Sequence, residues 1–235
     1  HYKMAIKLKP DFAEAYSNLG NALSTERKIE EAISHYKMAI KINPDYAVAH
    51  NNLGNALFAE RKKEEAISHY KMAIKLNPDY ANAYNNLGNA LRREGRNSEA
   101  ISHYKMAIKL NPDFADAHNN LGFALFSIKK TEEAIPHFKM AIKLNPDFAL
   151  AHYSLGIALV AEGKNEEAIS HYKMAIKLNP DLAAAHNNLG NALFAERKIE
   201  EAISHYKMAI GLKPDFAEAH YNLENALLNK GRTSE

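Results

Sequence analysis

The chain has 235 residues, 46% hydrophobic and 25% charged, with 30 basic residues against 28 acidic ones and a formal charge of +2. That composition marks a folded chain, and the charge balance offers no strong field for nucleic acid or an acidic membrane. Cysteine is absent, which excludes a disulfide framework and a thiolate metal site. No apolar run approaches the ~20 residues of a membrane span, and the start, His1-Tyr2-Lys3-Met4-Ala5, does not read as a signal peptide. A cytoplasmic protein, or a piece of one, is the expectation.

Residues 1–12 end in Lys9-Pro10-Asp11-Phe12, and the Pro-Asp pair returns every 34 residues, at Pro44, Pro78, Pro112, Pro146, Pro180 and Pro214; only Pro136 is out of phase. Counting from the alanine two places after each pair gives complete repeats at 13–46, 47–80, 81–114, 115–148, 149–182 and 183–216. Residues 1–12 are then the tail of an earlier unit and 217–235 the head of a later one, so that 1–235 is a single array. Units 47–80 and 183–216 differ at five of 34 positions. A period of this length implies stacked helical units, none of which buries its apolar face alone.

Each unit reads as two helices, which makes the chain all-α. The first carries Tyr or His, Leu, Gly and Leu at repeat positions 4, 7, 8 and 11, as in Tyr16, Leu19, Gly20 and Leu23. At about 100° per residue these share one face. The aspartates that follow the prolines (Asp45, Asp79, Asp113) are expected to cap this helix. Glycine inside a helix costs about 1 kcal/mol against alanine, so the glycine column from Gly20 to Gly190 implies close approach of a neighbour. The second helix repeats Ala, Tyr or Phe, and Ala at positions 20, 24 and 27, as in Ala32, Tyr36 and Ala39. Pro136 replaces the serine of the other complete units at position 22 and is expected to bend or loosen Thr131–Pro136.

These residues resemble the tetratricopeptide pattern of aromatic-x-x-Leu-Gly-x-x-large, then Ala-x-x-x-aromatic, then Ala, then Pro. The resemblance covers the whole chain. It implies a right-handed α-solenoid, a superhelix of stacked helix-turn-helix units, with first helices lining a concave groove and second helices forming the outer wall. Glu224 replaces the close-packing glycine in the last, partial unit.

No catalytic constellation is legible. The twelve histidines fall in two columns, at positions 4 and 23, and the seven methionines in one, at position 26. Successive units lie on the order of 10 Å apart, too far for one histidine column to share a metal ion with bonds of about 2 Å; both sets read as packing residues. No phosphate loop, nucleophile elbow or HExxH occurs. The chain is expected to be no enzyme, and to need no metal or cofactor.

The groove face carries the functional expectation. Asparagines recur at position 6 (Asn18, Asn52, Asn86, Asn120, Asn188, Asn222, with Ser154 departing), at position 9 (Asn21, Asn55, Asn89, Asn191, Asn225) and at position 5 (Asn51, Asn85, Asn119, Asn187). Asparagine is a mediocre helix former, but its amide offers a donor and an acceptor to an extended peptide backbone. The column therefore reads as a ladder that binds protein or peptide. Stretches such as Ala15-Tyr16-Ser17-Asn18-Leu19-Gly20-Asn21 are similar to the repeats preceding the catalytic domain of O-GlcNAc transferases. That resemblance implies a position-6 ladder holding substrate backbones, in a recruiting arm of a longer protein. The carboxylate clamp of co-chaperone repeats is not matched, because position 2 is never basic.

Groove columns turn apolar at Phe123, Phe126, Leu150, Tyr153, Ile157 and Val160, a patch expected to anchor an apolar side chain. The alternative reading is a self-stacking assembly module or consensus-like array. The two overhangs would then associate head to tail between copies.

Overall fold

Every 34 residues the chain makes two helices and a short turn. The computed structural model describes residues 1–233, and these contain helices and no strand. The helices are α1 (Tyr2–Leu8), α2 (Ala13–Thr25), α3 (Ile29–Ile42), α4 (Ala47–Ala59), α5 (Lys63–Leu76), α6 (Ala81–Arg93) and α7 (Asn97–Leu110). They continue with α8 (Ala115–Ser127), α9 (Thr131–Leu144), α10 (Ala149–Ala161), α11 (Asn165–Leu178), α12 (Ala183–Ala195), α13 (Ile199–Leu212) and α14 (Ala217–Thr233). None is long and apolar enough to cross a membrane. The chain divides into two compact units, 1–113 and 114–235.

In the unit 1–113, α2 packs on α3, α4 on α5 and α6 on α7, and each second helix also packs on the next first helix. The first helices α2, α4 and α6 touch in succession; no such contact joins α3 to α5 or α5 to α7 among the described residues. The first helices are thus the more closely gathered set. In the unit 114–235 the same scheme runs through α8 to α14, with α8, α10, α12 and α14 in succession. Each unit is a helical-repeat solenoid stacked by nearest neighbours.

Small residues let this stack close. Ala49, Leu53, Gly54 and Leu57 of α4 are buried against Ala66, Tyr70 and Ala73 of α5, and the other repeats bury the same columns. A Cβ built on Gly54 would lie 2.6 Å from Cε1 of Tyr70. The close neighbour implied by the glycine column is therefore an aromatic ring of the second helix. Burying such a ring stabilises the repeat by roughly 1.5–3 kcal/mol.

The turn inside each repeat is a Schellman-type cap: the amide of Lys62 bonds the carbonyl of Leu57 at 2.9 Å, and Arg61 takes φ +62°. Gly95 and Gly163 occupy the corresponding left-handed position in their repeats.

One local expectation changes. The aspartates do not cap the first helices: the N-cap is the residue that follows, Tyr46 for α4 and Leu182 for α12, with no side-chain cap. Instead Asn43 Oδ1 accepts the Asp45 amide at 3.1 Å, and Asn77, Asn111, Asn145 and Asn179 do the same for Asp79, Asp113, Asp147 and Asp181. The short Asn-Pro-Asp loop leaves the aspartate outside the helix. Pro136 lies inside α9, which is helical from Thr131 to Leu144.

Candidate binding surface

The first helices present the asparagines in three distinct settings. Position 5 is buried: Asn51, Asn85, Asn119 and Asn187 are at most 8% exposed. They are not groove residues. Two of them accept from the next repeat: Asn86 Nδ2 donates to Asn51 Oδ1 at 3.0 Å, and Asn222 Nδ2 to Asn187 Oδ1 at 3.0 Å. The position-6 asparagines Asn18, Asn52, Asn86, Asn120, Asn188 and Asn222 are half-buried. Where position 5 is another residue, the ladder finds a substitute. Asn52 donates to Asn21 Oδ1 at 3.0 Å beside Ser17, and Asn188 donates to the Tyr153 hydroxyl at 3.2 Å.

Ser154 breaks this pattern. It stands where an asparagine would donate to Asn119, and Asn119 Oδ1 is buried without a partner.

Position 9 is tied to the second helix. Tyr36, Tyr70, Tyr104 and Tyr206 donate their hydroxyls to Asn21, Asn55, Asn89 and Asn191 at 2.8–2.9 Å. Burial pushes the phenols of Tyr36, Tyr104 and Tyr206 up to about 12 and that of Tyr70 further up. A buried neutral hydroxyl needs such an acceptor. In the repeat with Phe123 at position 9 the ring is Phe138, which has no hydroxyl to satisfy. Tyr172 faces a repeat with Ile157 there, and it makes none of the hydrogen bonds its four counterparts make.

The apolar residues separate in the same way. Ile157 and Val160 line a cleft of about 200 Å³ with Tyr172, Asn165, Asn188 and Asn191. Tyr153 is engaged by Asn188 and its ring lies 6.1 Å from that of Tyr172. Phe123 and Leu150 are exposed at 37% and 49%, Phe126 is half-buried, and none of the three lines this cleft.

The two histidine columns meet inside the repeats, a pairing that helical spacing alone does not reveal. His50 and His69 place Nδ1 against Nδ1 at 3.0 Å, and His118–His137, His152–His171 and His186–His205 do likewise at 3.0–3.2 Å. His50 Nε2 also lies 3.2 Å from the carbonyl of Pro44, which can only accept. His50 Nε2 therefore carries hydrogen, and the bond between the rings runs from His69 Nδ1–H to His50 Nδ1. Burial lowers the pKa of both, and His50 lowers that of His69 further. Among the described residues no three metal-binding side chains converge. The methionine column is less enclosed than expected: Met38, Met72, Met140 and Met174 are 37–39% exposed.

Comparison with known proteins identifies the family. A model described as TPR repeat matches residues 28–61, 88–129, 156–196 and 190–231, and tetratricopeptide-repeat models match 12–43, 47–80, 69–102 and 115–148. No curated protein sequence matches significantly. Among solved structures, a chain of the Cut9–Hcn1 hetero-tetramer of the APC/C superposes with a TM-score of 0.88 at 21% identity, over 96% of this chain and 45% of that one. PilF of Pseudomonas aeruginosa gives 0.81 at 22% identity, over 89% and 95%. YrrB, described as a TPR protein with an unusual peptide-binding site, gives 0.62 at 26% identity, over 79% and 96%. This chain spans less than half of the Cut9–Hcn1 chain it matches, and the first two likenesses concern the fold alone. With the repeat models falling along its length and the solenoid they describe in place, the chain belongs to the tetratricopeptide-repeat family.

Proposed function

We infer that the chain is a non-catalytic scaffold that holds an extended polypeptide along the surface of its first helices. The observation that carries this is the state of the position-6 amides. Asn52, Asn86, Asn188 and Asn222 are each oriented by one donated hydrogen bond to the preceding repeat. One N–H and a carbonyl lone pair remain on each half-buried amide. An amide held in place by its neighbour loses little rotamer freedom when a peptide arrives, which favours binding. The position-9 asparagines Asn21, Asn55, Asn89 and Asn191 support the tyrosines behind this surface. The Ile157–Val160 cleft is the natural seat for one apolar side chain.

The likeness to the repeats of O-GlcNAc transferases is in keeping with a substrate-recruiting arm of a longer protein. YrrB, a TPR protein with an unusual peptide-binding site, points to the same class of ligand.

The test is a peptide-array screen followed by titration against a variant with Asn52→Ser, Asn86→Ser and Asn188→Ser, the residue that Ser154 already supplies at this position. Affinity is expected to fall at least tenfold; an unaltered affinity excludes the ladder as a binding device. Phe126→Ser with Ile157→Ser is expected to blunt selectivity among the peptides that bind.

A second reading rests on the terminal helices. Leu8 of α1 is 79% exposed, and Tyr221 and Leu228 of α14 are 67% and 55% exposed. These faces suit head-to-tail stacking of copies. Concentration-dependent light scattering tests it, and a strict monomer at high concentration excludes it.

A further inference from the structure

The clefts at the repeat edges differ in charge. One is lined by Arg27, Lys28, Glu30, Glu31 and Glu60, and another by Lys129, Lys130, Glu132, Glu133 and Glu162, so both are of mixed sign. A third, of about 540 Å³, is lined by Phe58, Ala59, Arg61, Lys63 and Arg93, with three cations and no acid. None of these cations forms a salt bridge among the described residues. The Arg93 guanidinium lies over the Phe58 ring, 5.9 Å from its centroid, a cation–π contact that holds it at the cleft wall.

This concentration is peculiar to one junction. Lys63 corresponds to Ile29, Asn97, Thr131, Asn165 and Ile199 in other repeats, and Arg93 to Thr25, Ala59, Ser127, Ala161 and Ala195, whereas Arg61 recurs as Arg27, Lys129 and Arg197 and is glycine only at Gly95 and Gly163. Duplication accounts for Arg61 but not for Lys63 and Arg93, whose counterparts in the other complete repeats are all uncharged. Arg61 occupies the left-handed turn position, as Arg27, Lys129 and Arg197 do in their repeats, so what sets this junction apart is the addition of Lys63 and Arg93. The cleft opens at the end of the first helices α4 and α6, which also carry Asn52 and Asn86.

We propose that the Arg61–Lys63–Arg93 cleft receives the carboxylates of an acidic segment of the bound polypeptide, with the Phe58 ring as its floor. The assignment rests on the reading of the first-helix surface as a polypeptide-binding one, and adds the charge of the partner. Unpaired cations around an apolar ring are complementary to Asp or Glu side chains. Lysine and arginine without acidic partners across a cleft also repel one another, and an anion relieves that repulsion.

The test uses substitutions that the chain already carries at equivalent positions, so that folding is retained: Arg61→Gly, Lys63→Ile and Arg93→Ala together. An extended peptide rich in glutamate and its glutamine counterpart are titrated at low and high salt. The wild-type chain is expected to bind the glutamate peptide about tenfold more tightly at low salt, a factor in keeping with a few exposed charge pairs. The preference is expected to shrink with salt and to vanish in the triple variant. Equal affinity for the two peptides, or a preference that survives in the triple variant, overturns the proposal. The amide variant separates this from the ladder. Charge preference retained at unchanged affinity supports the cleft and removes the ladder, whereas amide-dependent binding with no charge preference does the reverse. Failure of both peptides to bind overturns the cleft proposal as well.

Discussion

The hydroxyl of Tyr70 on α5 donates to Oδ1 of Asn55 on α4 at 2.9 Å, beside the glycine that makes room for its ring. This one bond joins the second helix of a repeat to the exposed side of its first helix. The asparagine is thereby structural as well as surface-lying.

Replacing Asn55 with leucine leaves the buried Tyr70 hydroxyl without an acceptor, and stability is expected to fall by about 1–3 kcal/mol. Adding Tyr70→Phe should recover most of that loss, since Phe138 already occupies the same site opposite Phe123. A double-mutant cycle in urea measures the coupling. Additive effects would show that the bond contributes nothing.

The amide ladder sets a sign that helix propensity alone gets wrong. By propensity, Asn86→Ala should be neutral or stabilising. The Asn86 amide, however, donates to the buried Asn51 oxygen, and the loss of that bond is expected to cost about 1 kcal/mol. The converse substitution, Ser154→Asn, offers a donor to the unpartnered Asn119 Oδ1 and should stabilise the chain by a similar amount. Denaturant midpoints of both variants decide; a stabilised Asn86→Ala would mean that the inter-repeat bond is not formed.

Gly54→Ala improves helix propensity yet drives a Cβ to within 2.6 Å of the Tyr70 ring. Overpacking of this kind typically costs about 1–3 kcal/mol, so the melting temperature should drop. Gly211, with nothing within 4 Å of its built Cβ, is the control, and alanine there should raise it.

The histidine pairs make stability depend on pH. Burial lowers the pKa of His50, His69, His171, His186 and His205 from the ordinary value of 6.5. The unfolded chain therefore binds more protons than the folded one just below that value, and stability rises with pH there. It is fully present above about pH 6.5 and is lost as the pH falls toward the lowered folded values. A second proton on a pair also sets two N–H donors face to face. Chemical denaturation from pH 7.5 down to 5 should show this loss. His50→Tyr with His186→Tyr, the residue found at Tyr16 and Tyr84, should make it shallower.

Pro136 lies within α9 and deprives it of one backbone donor. Pro136→Ser is expected to raise stability by about 1–3 kcal/mol, less if the first turn frays. Hydrogen exchange should find α9 the least protected of the second helices, and uniform protection would contradict this.

By itself the sequence determined the period, the two helices per repeat and the buried columns. These follow from spacing along one helix, where Leu19, Gly20 and Leu23 share a face whatever surrounds them. The position-6 asparagines were legible as a column for the same reason. Only the tertiary structure decided what the polar side chains do, because their partners come from other helices. Asn55 meets Tyr70 from 15 residues away and Asn86 meets Asn51 from 35. The histidine columns, separate along the chain, close into pairs 19 residues apart. The cleft of Arg61, Lys63 and Arg93 forms where the end of α4, the start of α5 and the end of α6 come together. Helical periodicity assigns a residue to a face; which atom waits opposite depends on how helices pack, inside a repeat through the fit of Tyr70 and its counterparts against the glycines and between repeats through contacts such as Asn86 on Asn51.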